Sequence, residues 1–196
     1  MSQLKNGNNL FPVFIKLQQL QLLIVGGGYV GLEKLTAVLT NSPSTEIKIV
    51  AKEISEDIKI LAEDYPNIHL NERAFRPYDL ENMDLVIVAI DNMQTSTLIK
   101  DMAKARGLLV NVADKPDLCD FYLGSVVKKG DLKIAISTNG KSPTIAKRIK
   151  EYLNESIPGS IDEVIQNMSK IRENLRGNFE YKVKALDGIT KDWLKK

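Results

Sequence analysis

Three glycines near the start of the chain have the spacing of a dinucleotide-binding turn. Gly26, Gly28 and Gly31 form the pattern G-x-G-x-x-G, directly after the apolar run Leu22–Val25 and directly before a helical pattern. In such a strand–turn–helix the first glycine permits a tight turn, the second lets the backbone approach the pyrophosphate, and the third lets the helix pack closely. The helix N-terminus adds N–H donors and the positive end of a dipole. The sequence therefore predicts a dinucleotide site, with a ligand-free glycine turn as the alternative.

The residues after the second predicted strand, 47–50, bear on which dinucleotide binds. NAD-binding folds use an acidic residue at the end of this strand to bind the ribose hydroxyls. Glu53 is better placed for this contact than Glu46, which lies at the start of the strand. Lys52 would instead suit the 2′-phosphate of NADP. The residues alone leave NAD and NADP open, and a solvated turn is the alternative for both Lys52 and Glu53.

Two carboxylates follow later strands. Ligands of open α/β sheets bind outside the carboxyl ends of the strands, which puts Ala89 and Asp91, at the end of the fourth predicted strand, beside the nicotinamide half. Asp114 closes the run N-V-A-D after the fifth strand. A carboxylate beside a hydride acceptor can take the proton that dehydrogenation releases. The alternative for Asp114 is an aspartate that caps the turn before Pro116.

Short β-branched runs alternate with helical patterns over the first two-thirds of the chain, which predicts an α/β fold with a doubly wound parallel sheet of the Rossmann type. The strands are nearly continuous apolar runs, as expected for strands buried on both faces. Predicted strands span 21–25, 47–50, 68–70, 85–90 and 108–112, and predicted helices span 30–39, 55–65 and 94–106. The hydrophobic segment 10–17 is compatible with a further short strand.

The pattern changes after the fifth strand. Residues 121–127 and 132–137 flank a K-K-G-D turn and predict a β-hairpin. A Ser-Pro pair at 142–143 predicts the start of a helix, and Ser160 with Glu163 predicts a capping box at the start of another. We therefore expect a Rossmann domain followed by a β-hairpin segment and a helical C-terminal tail.

Composition limits the class of protein. The chain has 196 residues, 43% hydrophobic and 27% charged, with a formal net charge of +2. This fits a soluble globular protein and argues neither for nor against nucleic acid; no such partner is predicted. A single cysteine, Cys119, excludes an intrachain disulfide, and no membrane-length apolar stretch or signal-peptide core occurs, so a cytoplasmic protein without a membrane partner is expected. A single histidine, His69, is expected in the core, and no metal-binding residue is predicted.

Four motifs resemble one family. They are N-L-F-P-V-F at 9–14, V-G-G-G-Y-V-G-L-E-K at 25–34, N-V-A-D-K-P-D-L-C-D-F at 111–121 and I-A-I-S-T-N-G-K-S-P-T-I-A-K-R-I-K-E-Y-L at 134–153. Together they resemble the precorrin-2 dehydrogenase / sirohydrochlorin ferrochelatase family, the stand-alone form of the N-terminal module of siroheme synthase. The two later motifs are more specific than the glycine turn, because no general fold requires them.

The resemblance implies an enzyme of siroheme biosynthesis that oxidises precorrin-2, a tetrapyrrole, to sirohydrochlorin with NAD as hydride acceptor. Many members then insert Fe²⁺, a substrate of that second step, and members are homodimers. Asp114 falls on the aspartate thought to act as general base and to assist chelation, and Asn111, which opens the same motif, is predicted to bind the substrate. The resemblance also implies that four residues contact NAD, which favours NAD over NADP as the cofactor: Tyr29, Val30, Lys52 and Glu53. They add to the cofactor residues predicted from the strand ends and the glycine turn, which are Gly26, Gly28, Gly31, Ala89 and Asp91.

The resemblance also implies a division of the chain. Residues 1–113 form the NAD-binding domain, 114–150 build the dimer and part of the substrate cleft, and 151–196 form a helical C-terminal region. The sequence departs from the family pattern at a few positions. Glu33 stands where a basic residue is usual, I-D-N replaces T-D-D after the fourth strand, and Asn139 replaces a glycine of the S-T-G-G-x-S-P loop. None of these changes removes a proposed catalytic group.

The charge pattern suits a polycarboxylate substrate. Residues 124–150 contain seven basic residues and one acidic residue. Ser137, Thr138, Lys141 and Ser142 are predicted to bind substrate carboxylates, since a loop before a helix N-terminus favours anions. The alternative is that the lysines are simply solvated.

Two other functions share the glycine turn. A non-catalytic, NAD(H)-sensing Rossmann regulatory domain has no reason to carry the N-V-A-D and S-T-N-G-K-S-P motifs. A short-chain dehydrogenase needs a Tyr-x-x-x-Lys pair, and none of the six tyrosines has a lysine four residues later. The sequence leaves open whether chelatase activity is present.

Overall fold

The computed structural model describes residues 7–191, which form two compact units. One unit is the continuous stretch Leu10–Leu123, and the other combines the residues up to Asn9 with those from Gly124 onward. The segment 114–123 is therefore part of the sheet-containing unit. The three-part division into cofactor, dimer and helical regions stays a prediction.

The continuous unit contains a parallel five-stranded sheet in the order β3-β2-β1-β4-β5. Its elements are β1 (Gln21–Val25), α1 (Tyr29–Asn41), β2 (Glu46–Ala51), α2 (Glu56–Glu63), β3 (Ile68–Glu72), β4 (Leu85–Val88), α3 (Met93–Lys104) and β5 (Leu109–Val112). The predicted fold class is confirmed. Both ends of each of the five predicted sheet strands and the three predicted helices lie within two residues of the observed ones.

Two apolar clusters bury the sheet, one on each face. Because alternate residues of a strand point to opposite faces, Leu22 and Ile24 of β1 join one cluster with Leu35 of α1, whereas Leu23 joins the other with Ile99 of α3. Each of these five side chains is at most 1% exposed, and burying one contributes about 1.5–3 kcal/mol. Since the sheet carries an apolar layer on both faces, its carboxyl edge is the natural place for a ligand.

A buried ion cluster ties β2 to the segment after β3. Asp79, in the 3-10 turn Pro77–Leu80, is fully buried. Its carboxylate accepts two hydrogen bonds from the Arg73 guanidinium at 2.6 and 2.8 Å and lies 3.0 Å from Lys48 Nζ. Burial alone would raise the pKa of this carboxyl, but hydrogen bonds from Arg73, the Arg76 N–H and Lys48 hold it well below its usual range.

The second unit begins with an antiparallel hairpin. Its elements are β6 (Ser125–Lys129), β7 (Leu132–Ile136), α4 (Pro143–Ser156), α5 (Ile161–Asn174) and α6 (Phe179–Thr190). In the hairpin turn the Asp131 N–H donates to Asp162 Oδ1 at 2.7 Å, which fixes the turn to the start of α5. The Ser142 hydroxyl accepts from the Ile145 N–H at 3.3 Å, so the predicted start of α4 is confirmed. Within residues 7–191, none of the helices is both long and apolar enough to cross a membrane.

Two predictions about strands are wrong. Segment 10–17 forms no strand, and three of its side chains are largely exposed: Phe11 86%, Val13 60% and Phe14 70%. The hairpin begins at Ser125 rather than at 121, because Phe121 packs against the core cluster on the α1 face of the sheet. Apolar character alone did not distinguish these segments from paired strands.

Two predictions about single residues are also wrong. Ser160 has helical backbone angles, and its side chain makes no cap hydrogen bond, so there is no capping box. His69 lies on the edge strand β3 with its side chain 64% exposed, and its Nε2 is 3.5 Å from Glu46 Oε2. An edge strand lacks a neighbour on one side, which leaves His69 outside the core.

Candidate active site

The carboxyl ends of four neighbouring strands are joined by backbone hydrogen bonds that extend past the strands. The Ala113 N–H donates to the Val88 carbonyl of β4 at 2.9 Å, and the Ala89 N–H donates to the Val25 carbonyl of β1 at 2.7 Å. The Gly26 N–H donates to the Val50 carbonyl of β2 at 3.0 Å. These bonds align the segments after β5, β4, β1 and β2 along one edge. The structure thus brings these predicted site residues to a common edge: Gly26, Gly28, Tyr29, Val30, Gly31, Lys52, Glu53, Ala89, Asp91, Asn111 and Asp114.

The glycine turn is tightly packed at two positions and open at a third. Gly26 has a φ of 128°, and a Cβ there would lie 2.2 Å from the Ala89 carbonyl oxygen. A Cβ at Gly31 would lie 2.3 Å from the Gly26 carbonyl oxygen, so α1 approaches the turn as closely as backbone allows. A Cβ at Gly28 would meet no atom within 4 Å, and α1 has no side-chain cap. Open space before uncapped N–H groups fits a dinucleotide pyrophosphate.

The loop after β2 is held beside this turn. The Ser55 N–H donates to the Gly27 carbonyl at 2.8 Å. The Glu72 carboxylate, at the end of β3, accepts from the Ile54 N–H at 3.0 Å, and this bond lowers the pKa of Glu72. Residues 52–53, which are exposed, therefore lie beside the glycine turn.

The segment after β4 joins the glycine turn to α3. Ala89 is buried and packs its carbonyl against Gly26, whereas Asp91 is exposed. Asn92 caps α3, since its Oδ1 accepts from the Thr95 N–H at 2.8 Å. The asparagine in the I-D-N run thus has a structural role as a helix cap.

Asp114 occupies the third position of a turn that follows β5. The Lys115 N–H donates to the Val112 carbonyl at 3.2 Å and closes the turn. Asp114 is exposed and has a φ of 58°, a left-handed conformation that aspartate and asparagine adopt more readily than most residues but that still costs energy. Because β5 lies two strands from β1, the turn starts about 10 Å from the glycine turn. The turn that carries Asp114 and the glycine turn therefore lie on the same edge of the sheet.

The chain after Asp114 folds back onto β5, a contact that no local sequence pattern predicts. The buried Asn111 side chain donates to the Phe121 carbonyl at 2.8 Å. The Asp120 N–H donates to the Val110 carbonyl at 2.7 Å, while its carboxylate accepts from the Val110 N–H at 2.9 Å and from Lys104 Nζ at 2.8 Å. Burial alone would raise the pKa of Asp120, but the hydrogen bonds from Lys104 and the Val110 N–H outweigh it and leave the pKa below its usual value. Asn111 therefore has a structural role, and its contact with substrate stays a prediction.

Four predicted substrate residues lie in the second unit, in the loop before α4. The Ser137 hydroxyl accepts a hydrogen bond from the Asn139 N–H at 3.1 Å. Thr138 Oγ1 donates to the Ser142 carbonyl at 3.1 Å and accepts from the Ser142 N–H at 3.2 Å. Lys141 is exposed. Asn139 has a φ of 56°, and because asparagine adopts this conformation more readily than most residues, it can replace the usual glycine. Among the described residues, no group of three or more His, Cys, Asp or Glu side chains is arranged to hold a metal ion.

Two family models match the chain. Residues 13–125 match the family described as "Putative NAD(P)-binding", and residues 129–156 match the one described as "Sirohaem biosynthesis protein central". The second match begins in the hairpin and ends at the last residue of α4. The predicted dinucleotide site thus falls in a segment whose relatives are grouped by dinucleotide binding.

The chain is also similar to siroheme synthases of several bacteria. It is 30% identical over 168 residues to that of Nitrosomonas europaea, 32% over 165 residues to that of Methylococcus capsulatus, and 32% over 185 residues to that of Psychrobacter cryohalolentis. These alignments cover 86%, 84% and 94% of this chain but 35%, 34% and 34% of the relatives. The chain therefore spans about a third of the length of the curated relatives it matches.

Among solved structures, the fold is similar to that of "SirC, precorrin-2 dehydrogenase". The TM-score is 0.75 at 24% identity, and the superposition covers 93% of this chain and 90% of that one. This likeness supports the order of elements described above, a parallel sheet followed by a hairpin and helices.

Proposed function

The chain belongs to the NAD(P)-binding family that residues 13–125 match, and on that premise we propose that it oxidises precorrin-2 to sirohydrochlorin with NAD, a step of siroheme biosynthesis. The observation that carries the proposal is the position of Asp114, on the same sheet edge as the glycine turn and two strands away from it. The match of residues 129–156 to a sirohaem biosynthesis segment supports the choice of substrate.

The residues of the glycine turn would bind the cofactor. The N–H groups of the first turn of α1, with Tyr29 and Val30, would hold the pyrophosphate in front of Gly28. Glu53 would accept hydrogen bonds from the ribose hydroxyls, with Lys52 beside it. Ala89 and Asp91 would lie along the nicotinamide half. When bound, NAD accepts a hydride from the substrate.

Asp114 is the proposed general base. Oxidation of precorrin-2 removes a hydride and a proton, and the proton needs an acceptor. The Asp114 carboxylate is exposed on a turn that projects from the end of β5. From there it would accept the proton that the substrate loses together with the hydride transferred to NAD.

The second unit would bind the carboxylates of the substrate. Ser137, Thr138, Lys141 and Ser142 immediately precede the N-terminus of α4, where N–H groups and the helix dipole favour anions. The basic residues of 124–150 would add attraction at longer range, which is screened by salt.

Insertion of Fe²⁺ into sirohydrochlorin is part of the proposal as a second activity. The tetrapyrrole supplies the nitrogen ligands, so the protein must accept the pyrrole protons and guide the ion. Asp114, as an exposed carboxylate, is the proposed group for both tasks. Addition of Fe²⁺ or Co²⁺ to sirohydrochlorin without NAD would test this step separately from dehydrogenation.

We further propose that the enzyme is a cytoplasmic homodimer. On α4, three apolar side chains at i, i+4 and i+7 share one helix face and are exposed: Ile145 by 56%, Ile149 by 39% and Tyr152 by 67%. A stripe of this kind on one face of an amphipathic helix suits burial against another surface.

The proposed function is tested by supplying precorrin-2 and NAD to the purified protein without oxygen. NADH formation and the absorption spectrum of sirohydrochlorin report turnover. Asp114→Asn should lower kcat by about 100-fold or more and leave NAD affinity unchanged, because asparagine tolerates the left-handed backbone.

Three outcomes would contradict the proposal in different ways. A folded wild-type protein that binds NAD but does not turn over would favour the NAD(H)-sensing domain. A protein that binds no dinucleotide would exclude both functions. A fully active Asp114→Asn variant would remove Asp114 from the mechanism and leave the reaction itself intact.

A further inference from the structure

The sulfur of Cys119 contacts both ends of the turn that carries Asp114. Cys119 Sγ lies 3.2 Å from both the N and the O of Val112, which begins the turn, and 3.3 Å from the carbonyl oxygen of Lys115, which ends it. The Asn111 amide donates to the same sulfur at 3.5 Å. The Cys119 side chain therefore links Val112 to Lys115, the two residues that flank Ala113 and Asp114 in the turn.

The chemistry of a thiol suits this position. Burial raises the pKa of Cys119, so the group keeps its proton at neutral pH. The S–H can then donate to either the Val112 or the Lys115 carbonyl, while the sulfur accepts from the Val112 N–H. A thiolate would lose the donated bond and face two carbonyl oxygens with a negative charge.

The sulfur is itself held in place from the backbone side. The Cys119 N–H donates to the Pro116 carbonyl at 3.1 Å within the 3-10 turn Pro116–Leu118. Directly after it, Asp120 makes its two hydrogen bonds with Val110 on β5. Cys119 is thus fixed to the sheet and can restrain the turn rather than follow it.

Asp114 needs such a restraint. A left-handed conformation at a residue other than glycine persists where surrounding contacts over-determine it. The turn is closed by one backbone hydrogen bond, from the Lys115 N–H to the Val112 carbonyl. We propose that Cys119 is a positioning residue that holds Asp114 in its left-handed conformation and so aims the carboxylate at the substrate; its catalytic part rests on the proposed function of Asp114.

A purely structural cysteine makes a different prediction. Cys119 also packs against the apolar cluster on the α3 face of the sheet, and a residue that only fills this space would be replaceable by one of similar volume. Two variants separate the possibilities. Cys119→Ser keeps a donor and an acceptor, whereas Cys119→Val keeps the apolar volume and removes both.

The experiment compares Cys119→Ala, Cys119→Ser and Cys119→Val with the wild type. In the alanine and valine variants we expect kcat to fall about tenfold with the KM for NAD unchanged, and the serine variant to recover most of the loss. Hydrogen exchange at the Lys115 amide, followed by NMR, gives a readout that needs no substrate. It should become about tenfold faster in the alanine and valine variants and remain near the wild-type rate in the serine variant.

Each result decides the inference. Rescue by valine but not by serine would mean that Cys119 only fills space, and unchanged exchange in the valine variant would mean that the turn does not depend on the sulfur; either overturns the proposal. If the alanine variant does not fold, the serine and valine variants carry the comparison. If the wild type does not oxidise precorrin-2, the proposed function fails, whereas the exchange rates still decide whether Cys119 holds the turn.

Discussion

At the scale of single residues, Gly26 and Gly28 have separable roles in one turn. Gly26 combines a φ of 128° with backbone at 2.2 Å from the position of a Cβ. Gly28 has a φ of −91° and open space around its Cβ position. The fold therefore requires the first glycine but leaves room for a side chain at the second, in the space where we propose that the pyrophosphate binds.

This difference predicts opposite results for two alanine variants. Gly26→Ala should lower the free energy of unfolding by about 3 kcal/mol, from backbone strain and overlap with Ala89. Gly28→Ala should leave stability unchanged but weaken NAD binding by about tenfold or more, because its methyl group enters the pyrophosphate space. Urea denaturation and calorimetric titration with NAD measure the two effects. A Gly28→Ala variant with wild-type NAD affinity would contradict the assigned position of the pyrophosphate.

The sequence predicted the residues that local patterns specify. Glycine spacing and the ends of apolar runs place Gly26–Gly31 and Asp114 directly after strands, as the structure has them, because both signals lie within a few residues of the chain. The contacts of Cys119 and Asp120 with β5 follow no periodic pattern, since they depend on the chain folding back after the strand. His69 was misplaced for a related reason: whether a strand is central or at the edge depends on strand order, which short-range patterns do not encode.

At the scale of elements, the cluster around Asp79 joins β2, the segment after β3 and a 3-10 turn. The carboxylate is fully buried, while the side chains of Arg73 and Lys48 are 27% and 24% exposed. The buried member of such a cluster should matter most, because its removal leaves two partly buried cations without their anion.

Asp79→Asn should therefore lower the free energy of unfolding by about 3 kcal/mol near neutral pH. Asp101→Asn is the matched control: Asp101 pairs with Lys100 at 3.0 Å but is 62% exposed, so its loss should change stability by at most about 1 kcal/mol. Urea denaturation of the three proteins measures both differences. An Asp79→Asn variant as stable as the control would contradict the assigned importance of the buried carboxylate.

The pH dependence of the same variant has a definite sign. The pKa of Asp79 is lower in the folded than in the unfolded protein, so its ionised form stabilises the fold above the unfolded value of about 4. That contribution is lost as the pH falls from about 4 through the folded-state pKa. The stability difference between wild type and Asp79→Asn should be constant from about pH 7 to pH 5 and should narrow below about pH 4. A difference that does not narrow would mean that the charge of Asp79 is not its source.

Elements differ in how well sequence specifies them. The sheet strands were predicted because each is a nearly continuous apolar run, which a parallel sheet buried on both faces requires. Segment 10–17 has the same apolar character but no strand partner, and the hairpin was extended to 121 because Phe121 is apolar although it packs in the other unit. Pairing is a property of two segments, and the composition of one segment does not determine it.

At the scale of the whole molecule, the exposed stripe on α4 bears on assembly. If Ile145, Ile149 and Tyr152 are buried between two copies, a charge placed among them should prevent association, because an unpaired charge in an apolar interface is costly. Tyr152→Lys should therefore shift the protein from dimer to monomer in light scattering while its circular dichroism stays unchanged. Leu98→Lys is the control, since Leu98 is 53% exposed on α3 of the sheet unit. A Tyr152→Lys protein that remains dimeric would exclude this face from the interface.

The hairpin unit also draws on the beginning of the chain. Asn8 Nδ2 donates to Ser137 Oγ at 3.2 Å, across 129 positions of sequence. The sheet unit is uninterrupted in sequence, so all of its residues leave the ribosome before the loop that Asn8 contacts. The loop that Asn8 touches is synthesised later, and the early residues must wait for it. On the proposed function, translation therefore completes the unit with the dinucleotide site and Asp114 before the loop proposed to bind substrate carboxylates exists.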